Sequence, residues 1–253
     1  MNYIKDKHWC GILLSIVLTV FFVLISLGAN QFIHDTPWFL FSSLLRLLFG
    51  FFILFMIRKI YNKHMRDVFC FKNSKEAFIA ATAFLLYFVY YVILVGIGIK
   101  GITGLTAGLL ITKVILQQLT TGFYEELNYR FLICEGYFFT QKGFLRKLIY
   151  ALISAGIFGA LHIVTEWDTY TFLQTGAIGF AFSVIYLQSG NIILPMILHF
   201  VYDIIANLTV FIEWNNSNVF TSVYSIFEIM IAIMFVVSVI ILSRKETTED
   251  QTS

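Results

Sequence analysis

Long apolar runs separated by short polar segments follow one another along the whole chain. A helix crossing a bilayer takes roughly 20 mostly apolar residues. On that basis the pattern predicts helices over Trp9–Ala29, Trp38–Ile57, Ala77–Ile99, Thr103–Phe138, Leu148–Thr165, Tyr170–Leu187, Ile192–Ile212 and Val219–Leu242. The fourth run is too long for one straight crossing and contains Gly104, Gly108 and Gly122. It is expected to be strongly tilted, broken, or continued along the membrane surface. The predicted fold class is all-α, a polytopic transmembrane bundle of about eight helices forming one structural domain.

Composition strengthens this reading. Of 253 residues, 59% are hydrophobic and only 13% charged, with a mean hydropathy of +0.83. Soluble domains carry about 25% charged residues, and a chain of this length cannot bury so much apolar surface in water. Lipid is the natural solvent. The first run follows Lys5 and Lys7 but exceeds the roughly 7–15 apolar residues of a signal peptide, with no convincing cleavage site after it, so a retained anchor is expected.

Charge adds an orientation. Lys5 and Lys7 precede the first helix, and Arg58, Lys59, Lys63, Arg66, Lys72 and Lys75 lie between the second and third. Lys142, Arg146 and Lys147 follow the fourth, and Arg244 and Lys245 follow the last. The alternate loops hold Asp35, Glu166, Asp168 and Glu213, with Lys100 the one basic exception. The positive-inside rule then places both termini in the cytoplasm. The basic residues form no contiguous face, which argues against a nucleic-acid partner. Cys10, Cys70 and Cys134 are widely spaced with no CxxC, so free thiols are expected.

Ionisable groups inside a bilayer are expensive, and those present usually face a bundle interior and serve function. The fourth run holds Glu125, Glu126 and Arg130, the fifth His162, and the seventh His199, Asp203 and Asn207. Glu126 and Arg130 are i,i+4 neighbours able to pair along one face, and His199, Asp203 and Asn207 recur every four residues. Counted at 1.5 Å per residue, Glu125 and His162 lie roughly 20 Å from the cytoplasmic ends of their helices, with His199 to Asp203 at overlapping depth. A shared wet cavity satisfies such a set.

Two chemistries fit it. A carboxylate beside a neutral imidazole can take a proton from water and pass it to a leaving amine, with a second imidazole donating to the oxyanion. Two imidazoles and a carboxylate (Glu125, His162 and His199) are alternatively a zinc set with an open position for water. Peptide-bond hydrolysis suits either. HExxH, GxSxG and GxGD are absent. Gly96, Gly98 and Gly101 match GxGxxG without a strand–turn–helix context and carry no nucleotide-site reading. Gly104 and Gly108 form a GxxxG expected to let helices pack closely.

Three motifs in order resemble the CPBP or Abi family of intramembrane proteases, which includes the eukaryotic type II CAAX prenyl endopeptidase. EExxxR is matched by Glu125-Glu126-Leu-Asn-Tyr-Arg130, FxxxH by Phe158-Gly-Ala-Leu-His162, and HxxxN/D by His199-Phe-Val-Tyr-Asp203. The resemblance implies a protease core over 104–212, preceded by variable helices over 1–103 and followed by a last helix and cytoplasmic tail over 213–253. It implies that Glu125 with His162 activates the attacking water, and that His199 and Asp203 stabilise the oxyanion or complete the site. Arg130 would hold Glu126. Many members have Asn where this chain has Asp203; an ionised Asp cannot donate to an oxyanion, so it must be protonated, orient His199, or bind metal. The implied partner is a peptide or membrane-protein substrate. Bacterial members are associated with bacteriocin self-immunity and peptide maturation, and the Ile-, Asn- and Lys-rich usage suits a bacterial plasma membrane.

Blander readings stand beside these. Glu126–Arg130 could be purely structural, and Asn207 a helix-packing hydrogen bond. Arg46 and Lys113 near helix middles are unexplained, with snorkelling or a partner such as Glu228 conceivable. As whole-protein alternatives, a non-catalytic immunity partner would tolerate loss of Glu125 and His162. A proton-coupled transporter would show inverted repeats, of which the sequence has none.

Overall fold

A computed structural model describes residues 10–70, 74–137, 143–164 and 166–244. Lys5, Lys7, Lys72, Lys142 and Lys245, which support the predicted orientation, lie outside the described residues, as do Trp9, Phe138 and Thr165 at predicted helix ends.

The described chain is almost wholly helical. In chain order, α1 spans Cys10–Asn30, α2 Asp35–Tyr61, the one-turn α3 Met65–Val68, α4 Ser74–Ala80 and α5 Thr82–Gly98. A continuous helix over 107–137 is α6, followed by α7 at Phe144–His162, α8 at Thr169–Ser189, α9 at Ile193–Thr209 and α10 at Ser217–Arg244. Each predicted apolar run carries helix. α1, α2, α7, α8 and the 221–243 part of α10 are long and apolar enough to cross a membrane, while α5 and α9 are shorter apolar helices. Side chains such as Leu13 and Val92 are 63% and 68% exposed on the outer faces, as expected where lipid replaces water. The three cysteines are free thiols.

Two features depart from the predicted pattern. The chain between α5 and α6 forms a strand, β1 at Ile99–Ile102, which pairs antiparallel with β2 at Ile212–Trp214. Each strand is too short to leave a periodic signal, and an ion pair between Lys100 and Glu213 (3.8 Å) closes the pair. The long fourth run is not broken. It is one helix containing two wider π-type segments, Leu110–Leu116 and Leu127–Leu132. Such segments shift the facing of all that follows and recur at functional sites. From 124 to 133 every residue of α6 is buried, so this helix has no lipid face there and runs through the centre of the bundle.

Around α6 lie two apolar clusters. One gathers α1, α2, α6 and α7; the other gathers α4, α5, α9 and α10. α8 contributes to both, with Phe180 and Val184 in the first and Phe182 and Ile185 in the second. Close crossing of α7 and α8 depends on Gly159, where a Cβ would lie 2.8 Å from the Phe172 carbonyl oxygen. That contact fixes the height of Phe158 and His162 against the bundle. The predicted GxxxG plays no such part: Gly104 sits in a bend before α6 at φ +69, and the nearest atom to a Cβ on Gly108 is Thr106 Oγ1 at 3.8 Å. Residue spacing alone does not say whether two glycines lie within a helix.

Candidate active site

The glycine that does allow a close approach is Gly122. A Cβ there would lie 3.1 Å from the Met196 carbonyl oxygen and 3.7 Å from His199 Cβ. The bare face of α6 thus admits the backbone of α9, one turn before the carboxylates. His199 is thereby brought down onto Glu125 and Glu126.

The resulting cluster is buried. His199 Nδ1 lies 2.8 Å from Glu126 Oε1. A carboxylate oxygen accepts, so Nδ1–H donates, and the tautomer is set. Glu126 Oε2 lies 3.2 Å from Arg130 Nε, with both side chains fully buried. The other imidazole nitrogen, Nε2, faces Glu125 Oε2 at 3.7 Å and Asp203 Oδ2 at 3.5 Å. Glu125 is 4% exposed and His199 3%. A neutral imidazole would turn its Nε2 lone pair toward two acceptors. The stable arrangement holds a proton among His199, Glu125 and Asp203, which is the equipment of a general acid–base.

The surrounding shell fixes α6 against its neighbours. Tyr150 Oη donates to the Arg130 carbonyl (2.9 Å) and Ser154 Oγ to the Tyr129 carbonyl (2.7 Å). Ser183 Oγ in turn donates to Ser154 Oγ at 2.8 Å. Hydroxyl donors thus serve the carbonyls of the second π-type segment, as backbone in lipid demands. On the other side Asn128 Nδ2 donates to Thr19 Oγ1 of α1 (3.0 Å). The Arg130 guanidinium lies over the Phe158 ring, 4.4 Å from its centroid, and 5.7 Å from that of Phe182. These rings are cation–π partners for a charge that would otherwise depend on Glu126 alone.

Of the residues singled out from the sequence, Glu125, Glu126, Arg130, His199 and Asp203 come together. His162 does not join their contacts. It is the last residue of α7 rather than part of a longer helix, its side chain is exposed, and its Nδ1 bonds the Phe158 carbonyl at 2.8 Å. A carbonyl accepts, so Nδ1–H is the donor. The two imidazoles share one neighbour: the Phe158 ring lies 4.7 Å from that of His162 and 5.7 Å from that of His199. Asn207 donates to the Asp203 carbonyl of its own helix (2.9 Å), not across helices as expected from its polarity.

The zinc alternative does not fit this geometry. Among the described residues no group of three His, Cys, Asp or Glu side chains is arranged to hold a metal ion. His162 takes no part in the contacts that join His199 to Glu125, and so the three side chains expected to hold zinc are not gathered at one point.

Arg46 of α2 enters the neighbourhood from outside the three motifs. It lies within electrostatic reach of both Glu125 and Asp203. Its guanidinium bonds Ser42 Oγ, which also accepts from Gln117 Nε2 of α6 at 3.4 Å. It lies 5.1 Å from the centroid of the Phe22 ring, which stacks on Tyr124 beside Glu125. Its midspan position was the available signal; no local spacing connects it to α6. The suggested partner Glu228 instead accepts from Tyr170 Oη at 2.7 Å. Lys113 lies over the rings of Phe39 and Phe211, at 5.8 and 5.5 Å.

Fold and site define a polytopic helical membrane protein with an acid–imidazole cluster at its centre. Residues 106–205 match the family model described as type II CAAX prenyl endopeptidase Rce1-like, the family that the three motifs resemble. The match runs from the residue before α6 into α9 and contains the whole cluster except Arg46. Comparison with curated proteins and with solved structures gives no match.

Proposed function

We propose that this chain is an intramembrane endopeptidase in which Glu125 activates water for attack on a peptide carbonyl. The observation that supports it most is the close approach of the Glu125, His199 and Asp203 side chains, buried between α6 and α9 within the family-matched segment. In this reading Glu125 takes a proton from water as the hydroxyl adds to the carbonyl carbon. His199 donates from Nε2 to the developing oxyanion. The C–N bond then breaks, and the proton held by Glu125 passes to the leaving nitrogen. Glu126 keeps the His199 tautomer, Arg130 anchors Glu126, and Asp203 orients the imidazole rather than binding the oxyanion. His162 presents an exposed imidazole next to Phe158, where it can contact the incoming substrate.

The substrate class is a peptide or membrane-protein segment in a bacterial plasma membrane, with both chain termini cytoplasmic. Bacteriocin self-immunity or peptide maturation is the process implied by the family resemblance. Purified protein in lipid nanodiscs, offered hydrophobic peptides, should release new termini with the wild type and none with Glu125→Gln or His199→Gln of unchanged thermal stability. Biological protection retained by a Glu125→Gln, His162→Gln variant would identify a non-catalytic partner instead.

A further inference from the structure

A second polar feature lies away from the acid–imidazole cluster, where α2 runs into α3. A pocket of about 660 Å3 opens there. One wall is the apolar face of α2, made by Phe51, Leu54 and Phe55 one turn apart. Phe51 and Phe55 are 58% and 52% exposed, so this wall opens directly to the surrounding hydrocarbon. Its rim is Arg58, one turn further along α2, together with Lys63, His64 and Arg66 from the following turn and α3. Every fully ionised residue lining the pocket is cationic. Two carboxylates stand nearby: Glu135 pairs with Lys63 of the rim at 3.3 Å, and Asp67 accepts from the His64 backbone N–H at 2.9 Å. That backbone hydrogen bond also holds the Asp67 carboxyl below the usual range. Arg66 has Asp67 only at 3.9 Å. Arg58 has no ion-pair partner among the described residues. Lys59 adds a further cation over the Phe55 ring at 5.7 Å.

From Phe51 to Arg58 the helix rises about 10 Å, which carries it from acyl-chain depth to the headgroup layer. Cations at one end and open aromatic surface at the other complement a single kind of ligand, an anion attached to an aliphatic tail. We infer that the α2–α3 pocket binds an anionic phospholipid, its phosphate among Arg58, Lys63 and Arg66 and one acyl chain along Phe55 and Phe51. A basic pocket beside membrane helices is suited to this role. The site is separate from the hydrolytic reading and does not depend on it. It also ties the α2–α3 turn, and through the Lys63–Glu135 pair the end of α6, to the composition of the leaflet.

Native mass spectrometry of the full chain in detergent tests this, with phosphatidylglycerol and phosphatidylcholine of identical chains offered in equal amounts. Phosphatidylglycerol adducts should dominate. Arg58→Gln with Arg66→Gln should reduce that preference by about fivefold per cation removed, while Lys147→Gln in the first turn of α7 leaves it unchanged. Unchanged thermal stability and unchanged phosphatidylcholine adducts show that the double variant is folded. Equal binding of the two lipids, or an undiminished preference in the double variant, would overturn the inference. So would displacement of phosphatidylglycerol by inorganic phosphate with phosphatidylcholine still bound, which would assign the site to a free anion.

Discussion

His199 Nδ1 and Glu126 Oε1 lie 2.8 Å apart, and that contact decides what the other imidazole nitrogen does. With Nδ1–H donated to a carboxylate that is itself anchored on Arg130 (3.2 Å), Nε2 is the only nitrogen of His199 available for chemistry. It is aimed at Glu125 and Asp203. In the proposed mechanism the second glutamate of the EExxxR motif therefore positions, and the first reacts.

Removing either partner of the buried Glu126–Arg130 pair leaves an uncompensated charge, at a cost of about 3–5 kcal/mol. Glu126→Ala and Arg130→Ala should each lower the thermal midpoint in detergent strongly. The double variant Glu126→Gln, Arg130→Met should recover much of that loss while remaining inactive. Additive destabilisation in the double variant would show that the two side chains do not act as a pair.

In the proposed mechanism Asp203, 3.5 Å from His199 Nε2, orients the imidazole. Asp203→Asn keeps a polar group of the same shape there and should stay within about tenfold of wild-type cleavage, whereas Asp203→Ala should lose about 100-fold or more. Steady-state rates on one peptide distinguish the two. Equal losses would mean that the charge itself is required.

Gly122 and Gly159 test the close approaches that set the site. At Gly159 an added methyl meets backbone, the Phe172 carbonyl oxygen at 2.8 Å. Gly159→Ala should therefore destabilise by about 1–3 kcal/mol. At Gly122 the contact with Met196 is less severe, 3.1 Å. Gly122→Ala should fold but reduce activity, because it displaces His199 from the glutamates. Thermal unfolding and cleavage rate measured on the same preparations separate the effects.

Arg46 lies outside the family-matched segment yet within electrostatic reach of Glu125 and Asp203. Three carboxylates gather at the cluster against Arg130 and one imidazole, and Arg46 supplies the remaining positive charge. Arg46→Met should reduce cleavage by about tenfold or more and Arg46→Lys by less. Comparable losses for the two would mean that the guanidinium geometry matters and the charge does not.

Much of this molecule was legible in its residues. Apolar runs of membrane length located the helices to within a few positions, and polar side chains out of place in those runs marked Glu125, Glu126, Arg130, His199 and Asp203. What escaped has physical reasons. The π-type segments of α6 leave no compositional trace, so a helix too long for one crossing suggested a break. The β1–β2 pair is too short for a period. His162 shares its motif spacing with a buried residue, but α7 ends at it and leaves its side chain exposed. The approach of Arg46 depends on how α2 packs on α6, which no spacing within α2 encodes. Residue types suited to zinc likewise do not reveal that His162 stands outside the contacts of Glu125 and His199.

Because no three His, Cys, Asp or Glu side chains among the described residues are arranged around a metal position, cleavage should persist after prolonged exposure to a strong chelator. Loss of activity restored by zinc would contradict the glutamate-based reading.

The most direct test is cleavage of a membrane peptide in heavy-oxygen water, with the products weighed by mass spectrometry. The account predicts one heavy oxygen in each newly formed C-terminal carboxylate with the wild type, and no product with a folded Glu125→Gln variant. Product formation by Glu125→Gln at the wild-type rate would contradict it.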